Sequence, residues 1–320
     1  MKLGFIYAGQ GSQKVGMGSD FYQEYPVFRE TYDRASEAVK EVTDFNVKEC
    51  CLEGPIEKLS RTRYTQPCMV AYAIGVTKLL KANGIAPEYV CGLSLGEYSA
   101  LYAAEVLNEQ DVLNLVAFRG MVMEEAVVDR EVKMSAVLMM EREAILECCE
   151  QATKRLADEN LMVQIANYNC PGQIVISGDA KAVDLATELL KEKGAKRIVP
   201  LNVSGPFHTS LMKPAGDRLK ERLADVAFGT PVGTIIFNVT GKPMEAGESF
   251  AQLLERQVQS SVYLEDSIRY MEEQGVDTII EIGPGAAISK FVKKTAPEIK
   301  VYSIDNVSDF RQVLEEIGKQ

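Results

Sequence analysis

One histidine, His208, is all the imidazole this chain of 320 residues has, so histidine-based proton chemistry has a single candidate. The sequence also lacks a Gly-x-Gly-x-x-Gly fingerprint and any Gly-Lys-Ser/Thr ending to its glycine-rich turns, which removes the Rossmann dinucleotide and P-loop readings. It has no Cys-x-x-Cys pair. The seven cysteines (Cys50, Cys51, Cys68, Cys91, Cys148, Cys149 and Cys170) are odd in number and include two adjacent pairs, so reduced thiols are expected rather than a disulfide framework. No apolar run is long enough to span a bilayer, and the first one, Met1 to Tyr7, breaks at Gly9, too early for a signal peptide. A cytoplasmic protein is the expectation. Basic residues are in deficit, 35 Lys and Arg against 46 Asp and Glu, for a net charge of -11. That balance argues against nucleic acid or an anionic membrane as a partner. Internal repeats and low-complexity segments are missing too.

What is present is an ordinary globular composition, 46% hydrophobic and 25% charged, long enough for one large domain carrying a smaller one. Leu3 to Tyr7, Tyr89 to Cys91, Thr234 to Val239 and Thr278 to Ile282 read as strands. Helical stretches alternate with them: Asp20 to Val42, Cys68 to Ala82 opened by Pro67, Asn108 to Glu125, Phe250 to Val258, Tyr263 to Gln274 and Ala286 to Thr295. Strands alternating with helices predict an α/β core with a mainly parallel sheet. From about Lys133 the texture changes to strand-helix-strand-strand-helix-strand, the ferredoxin-like order, ending near Val203. The expected organisation is therefore residues 1–130 and 204–320 as the core, with 131–203 as an inserted small domain.

Gly92-Leu93-Ser94-Leu95-Gly96 lies between a strand and a helix start, which is the setting of a nucleophile elbow. Glycines on either side let backbone approach the serine, and the following helix turns its free N–H groups and positive dipole end towards it. The pattern alone also fits a turn with an idle serine. A serine becomes a nucleophile only when a base takes its proton, and His208, in a loop after Gly205-Pro206, is the available base. Ala8-Gly9-Gln10-Gly11-Ser12-Gln13 follows the first strand; it is either a plain turn or a loop whose N–H groups face a reaction centre. Arg119 interrupts the apolar stripe Val112, Leu115, Val116 and Met123. A structural ion pair or a carboxylate-binding site would each account for it.

Taken together, Gly9-Gln10-Gly11-Ser12-Gln13, the elbow with Glu97, Arg119-Gly120, Ala166-Asn167-Tyr168-Asn169, Ser204-x-Pro206-Phe207-His208 and Glu281-Ile282-Gly283-Pro284-Gly285 occur in the order of a known family. The chain resembles the malonyl-CoA:acyl carrier protein transacylases, which are similar to the acyltransferase domains of fatty-acid and polyketide synthases. The resemblance covers nearly the whole chain. It implies an α/β-hydrolase-like core with the inserted ferredoxin-like domain. It implies a ping-pong transfer of malonyl from malonyl-CoA to the phosphopantetheine thiol of acyl carrier protein, with no bound cofactor and no metal. Ser94 would carry the malonyl ester and His208 would move the protons. The backbone N–H groups of Gln10 and Leu95 would form the oxyanion hole, and a backbone carbonyl near Gln257 would orient the histidine. Arg119 would hold the malonyl carboxylate, Gln66, Asn167 and Ser204 would line the pocket, and Phe207 would narrow it against an α-methyl branch.

Two positions depart from the family pattern. Leu93 stands where a histidine is usual and Glu124 where a glutamine is usual, the latter putting a negative charge near Arg119. Two other function classes fit parts of the sequence. A serine hydrolase would share the elbow, but its histidine comes late in the chain and it has no use for Arg119. An inactive carrier-protein binding module would not need both Ser94 and His208. An acidic carrier protein approaching a chain at -11 needs a local basic patch, and the candidates are Lys191, Lys193, Lys196 and Arg197, or Lys290, Lys293 and Lys294.

Overall fold

The structure, a computed structural model, describes residues 1–127, 130–201 and 205–318. In chain order its strands are β1 (Leu3–Tyr7), β2 (Tyr89–Gly92), β3 (Val132–Leu138), β4 (Val163–Cys170), β5 (Gln173–Asp179) and β6 (Arg197–Leu201). They are followed by β7 (Thr234–Ile235), β8 (Val262–Tyr263), β9 (Thr278–Ile282) and β10 (Lys300–Ile304). The main sheet runs β10-β9-β1-β2-β7 and every pair in it is parallel. All five residues of β1 are buried, as expected for a central parallel strand covered on both faces. Tyr7 is in register with both Gly92 and Ile282, so β1, β2 and β9 end level with one another. The loops at Gly9-Gln10, at the elbow and at Gly283-Pro284-Gly285 therefore open at one edge, beyond the carboxyl ends of the strands, where ligands of α/β sheets bind.

The second sheet runs β6-β3-β5-β4-β8. Its first four strands pair antiparallel, and the helices Arg142–Arg155 and Ala180–Glu192 connect them in the expected β-α-β-β-α-β order. The sheet does not stop at the insert, however. β8, from the main body, pairs parallel with β4 through Asn167↔Val262 and Tyr168↔Tyr263. Two residues are too few to show period-2 alternation, so the sequence merged β8 into the helix that follows.

Other boundaries also move. Pro67 does not open its helix but lies inside Thr62–Ala82, where the N–H it lacks leaves the Arg63 carbonyl, four residues back, without its intrahelical donor. The long stretch after Asp20 is two helices, Ser19–Glu24 and Pro26–Val39, because Pro26 takes a first-turn position after extended Tyr25. β7 ends at Ile235, so Asn238 lies in a turn rather than in a strand. Lys213–Leu223, β10 and Val307–Ile317 complete the fold beyond the sequence-based expectation. Among the described residues no helix is long and apolar enough to cross a membrane. The seven cysteines are free and buried.

At the elbow, backbone packs directly against backbone. A Cβ built on Gly92 would lie 2.0 Å from the carbonyl carbon of Gly96, and one on Gly96 would lie 2.1 Å from the Tyr7 carbonyl oxygen. Both neighbours are backbone, which cannot swing away as a side chain can. Gly96→Ala should therefore push the elbow helix off β1 and cost on the order of 3 kcal/mol, the upper end for overpacking. Gly194→Ala is the comparison: its φ is +96°, but nothing lies within 4 Å of the new Cβ, so strain alone should cost about 1 kcal/mol. Denaturant unfolding of both variants measures this, and equal losses would show that close approach is not what requires Gly96.

Candidate active site

Ser94 follows β2 with φ +52°, the left-handed region that a non-glycine residue seldom adopts. The turn this makes lifts the side chain out of the sheet edge and lets the next residues enter the helix Gly96–Ala103 at once. His208 also has a positive φ, +61°. Its Nδ1 lies 2.9 Å from the Gln257 carbonyl oxygen, which can only accept, so Nδ1 carries the proton and Nε2 presents its lone pair. The Ser94 hydroxyl donates to that Nε2 at 2.7 Å. Serine, imidazole and a main-chain carbonyl thus stand in a line. No carboxylate is needed to set the tautomer.

Arg119, on the helix Glu109–Glu125, is 1% exposed and none of the described carboxylates forms an ion pair with it. Its Nη2 donates to the Ser94 hydroxyl at 3.2 Å and to Gln257 Oε1 at 3.0 Å, and the guanidinium carbon sits 5.2 Å from the Tyr98 ring centroid. Its Nε has no partner among the described residues. Burial lowers its pKa, resisted by Tyr98 and Glu97. Burial, and then the charge of Arg119, push His208 down to about 4, against the pull of the Gln257 carbonyl. The imidazole is therefore neutral across the physiological range, with its Nε2 lone pair free, and a cation with no carboxylate partner among the described residues waits beside a serine.

These groups line a cleft of about 700 Å³ between the two sheets, together with Gln10, Asn167 and Phe207. A larger cleft of about 800 Å³ touches His208 from its far side but contains neither Ser94 nor Arg119. The backbone N–H groups of Gln10 and Leu95 donate to no protein acceptor among the described residues, as an oxyanion hole requires. Gly9 lets the Gln10 loop close on the elbow, since a Cβ there would lie 2.4 Å from the Leu93 carbonyl oxygen.

Some expected site residues stand elsewhere. Gln66 is fully buried behind the wall, its Nε2 3.4 Å from the Met123 sulfur, so it backs a lining residue instead of lining the cleft. Ser204 lies outside the described residues. Glu124 does not face Arg119. Five residues on, it is turned about 140° round the helix, and it pairs with Arg61 and Arg63. Leu93 lines the cleft without any polar role.

The sequence missed three contributors. Asn238 accepts the Ser94 N–H at 2.7 Å and donates to the Gly92 carbonyl at 2.7 Å. Gln257 acts through its side chain as well as its carbonyl, its Nε2 donating to the Ser94 carbonyl at 2.7 Å. Asn169 lines the cleft with a buried Oδ1 that has no partner among the described residues. Asn169 and Glu97 were visible as motif members, but nothing local marked Asn238. No group of acidic, cysteine and histidine side chains among the described residues could hold a metal.

Comparison with known proteins gives the family. Residues 4–313 match the acyl transferase domain family. The malonyl CoA-acyl carrier protein transacylase of Bacillus subtilis is 42% identical over 95% of this chain and 94% of its own length. The crystal structure of MCAT from Streptococcus pneumoniae superposes with a TM-score of 0.92 at 44% identity, covering 99% of this chain and 100% of that one. A complex named PlMCAT:AntF (holo), a type II PKS acyl-carrier protein with its malonyl-transacylase, gives 0.92 at 32% identity, covering 98% of this chain and 99% of that one. With a match of this length to the family and relatives this similar from end to end, the chain belongs to the acyl transferase family.

Proposed function

We propose that the protein transfers a malonyl group from malonyl-CoA to the phosphopantetheine thiol of acyl carrier protein, through an ester on Ser94. One observation carries the choice of malonyl: Nη2 of a buried, carboxylate-free Arg119 lies 3.2 Å from the Ser94 hydroxyl. In malonyl-CoA the free carboxylate is separated from the thioester carbonyl by one methylene. A group attacking that carbonyl must therefore have a cation this near, and a bidentate pair with the guanidinium relieves its isolation.

The steps follow from the hydrogen bonds. His208 Nε2 takes the hydroxyl proton as Ser94 Oγ attacks the thioester carbonyl. Charge developing on the carbonyl oxygen is met by the Gln10 and Leu95 N–H groups. Collapse expels the CoA thiolate, which receives the proton from His208, and leaves malonyl on Ser94. The carrier thiol then gives its proton to His208, attacks the ester and restores the serine. The imidazolium that forms transiently within each half is steadied by the Gln257 carbonyl on Nδ1. We place the catalytic core at 1–130 and 204–320 and the small domain, over the cleft, at 131–203. The relatives' names and the named carrier-protein complex support the donor and the acceptor. A hydrolase would give water the role of the carrier thiol, and nothing in the site favours that.

Intact-protein mass spectrometry with acyl-CoAs tests the assignments. Ser94→Ala should show no malonyl adduct, and a persisting adduct would remove Ser94 as nucleophile. Arg119→Ala should lose about 2–4 kcal/mol of transition-state binding for malonyl, the size of a charge-assisted pair, and much less for acetyl. Equal losses for both would make Arg119 structural.

The pH dependence has a definite sign. His208 in the folded protein sits near 4 against an ordinary 6.5, so between those values the unfolded chain binds a proton that the native state refuses. Stability should fall by on the order of 3 kcal/mol as pH drops through that window. Bound malonyl carboxylate offsets the field of Arg119, so the acid limb of kcat should lie above that of kcat/KM, both below the ordinary histidine range. Profiles with an acid limb at 6.5 or higher for kcat/KM would contradict this.

Carrier-protein docking has a test as well. The two basic sets flank one surface: Lys294 Nζ lies 3.7 Å from where a Gly172 Cβ would stand, and Gly172 accepts the Met139 N–H at 2.8 Å. Leu138, next to Met139, pairs with Arg197. Lys193 is already engaged by Glu147, which leaves Lys196 and Arg197 as the better pair to change. Reversing Lys196 and Arg197 to glutamate should raise KM for carrier protein and flatten its salt dependence, with malonylation by malonyl-CoA nearly unchanged. Unmoved carrier-protein kinetics would remove these two residues from the docking surface.

A further inference from the structure

Ser94 is held in a backbone conformation that costs on the order of 1–3 kcal/mol and persists only where its surroundings over-determine it. What over-determines it here is largely one side chain. The Asn238 amide takes the Ser94 N–H on Oδ1 and gives its own N–H to the Gly92 carbonyl on Nδ2, each at 2.7 Å. Oδ1 and Nδ2 belong to one planar group, so the two elbow atoms they touch are held at a fixed spacing across Leu93. Asn238 is fixed in turn. Its backbone N–H donates to Glu97 Oε2 at 2.6 Å, and its carbonyl accepts the Tyr263 N–H at 2.8 Å.

Glu97 is a costly residue to place there. It is 0% exposed, and its other oxygen, Oε1, has no partner among the described residues. Burial raises its pKa to about 8, against the Asn238 N–H, the charge of Arg119 and the Gln257 amide. A glutamate so poorly solvated is explained by what it touches, the turn that carries Asn238. Gln257 completes the clamp from the other side, holding the Ser94 carbonyl at 2.7 Å and approaching Asn238 Oδ1 at 3.4 Å. A trans peptide is planar with its C=O and N–H opposed, so pinning the Ser94 carbonyl also sets the direction of the Leu95 N–H.

We propose that Asn238 is a positioning residue of acyl transfer, seated by Glu97, whose amide clamps the elbow so that the Ser94 hydroxyl meets His208 and the Leu95 N–H meets the developing oxyanion. The proposal rests on the reading of Ser94 as the nucleophile. Asn238 does not line the cleft and is not a hydrogen-bond partner of Arg119, so its loss should act on the rate of acylation and leave donor binding alone.

The test is single-turnover malonylation of Ser94, followed by intact mass at several malonyl-CoA concentrations, in the wild type, Asn238→Leu and Asn238→Asp. Leucine fills the space without a polar atom, whereas aspartate keeps an acceptor for the Ser94 N–H. Asn238→Leu should lose about 100-fold in the limiting acylation rate, the cost of a misplaced nucleophile, with half-saturation within about threefold of wild type. Asn238→Asp should recover about tenfold of that loss. A folded Asn238→Leu protein acylating at the wild-type rate would overturn the proposal, as would Asn238→Asp performing no better than leucine. If leucine prevents folding, Asn238→Asp against wild type decides: a rate loss of about tenfold at unchanged half-saturation supports the clamp, and no loss overturns it. A wild-type protein that forms no adduct on Ser94 would instead sink the functional reading itself.

Discussion

An arginine buried with no carboxylate paired to it among the described residues is the constraint on which the centre of this protein depends. Taking a guanidinium out of water is unfavourable by several kcal/mol unless opposite charge and hydrogen bonds compensate. Among the described residues the hydrogen-bond and ring partners of Arg119 are the Gln257 amide, the Ser94 hydroxyl and the face of Tyr98. The site is left short of one anion. On the proposed function that deficit makes the cleft selective, because the group that best fills it is a carboxylate on the substrate. Burial, and then the same charge, keep His208 unprotonated, so the carboxylate preference and the free lone pair of the base share an electrostatic source.

Around this cation the fold supplies geometry more than chemistry. Level ends of β1, β2 and β9 bring the Gln10 loop and the elbow to one edge. Gly92 and Gly96 allow backbone to meet backbone where no side chain would fit. Gln257 then ties the separate parts together: its carbonyl holds the base, its amide nitrogen holds the Ser94 carbonyl, and its amide oxygen holds Arg119. A helix end between two sheets thereby fixes three functional groups relative to one another.

The parts legible in the sequence were those whose signal is local. The elbow announces itself through glycine spacing between a strand and a helix, His208 through being the only histidine, and Arg119 through its place in an apolar stripe. What stayed hidden depends on partners far along the chain. Asn238 reaches Ser94 across 144 residues, and no spacing rule marks an asparagine in a turn as the clamp of a distant loop. Glu124 looked like an intruder beside Arg119 because sequence distance is not angular distance on a helix, and its real partners, Arg61 and Arg63, come from another segment. Gln66 belonged to the right region but stands one layer too deep. β8 was lost because two residues carry no periodicity.

That short strand has a mechanical consequence. Asn167, on the wall of the cleft, is itself the residue that pairs with Val262, only a few positions beyond the Gln257 carbonyl that steadies the base. The Ser261 hydroxyl reinforces the seam by donating to the Ile165 carbonyl at 2.5 Å, and the Ser210 N–H does so by donating to Gln164 Oε1 at 2.8 Å. The two sheets are therefore stitched together at the catalytic end. Contacts from both sheets thus brace the wall around the histidine, so that the fit there depends on how the second sheet is seated as much as on the first.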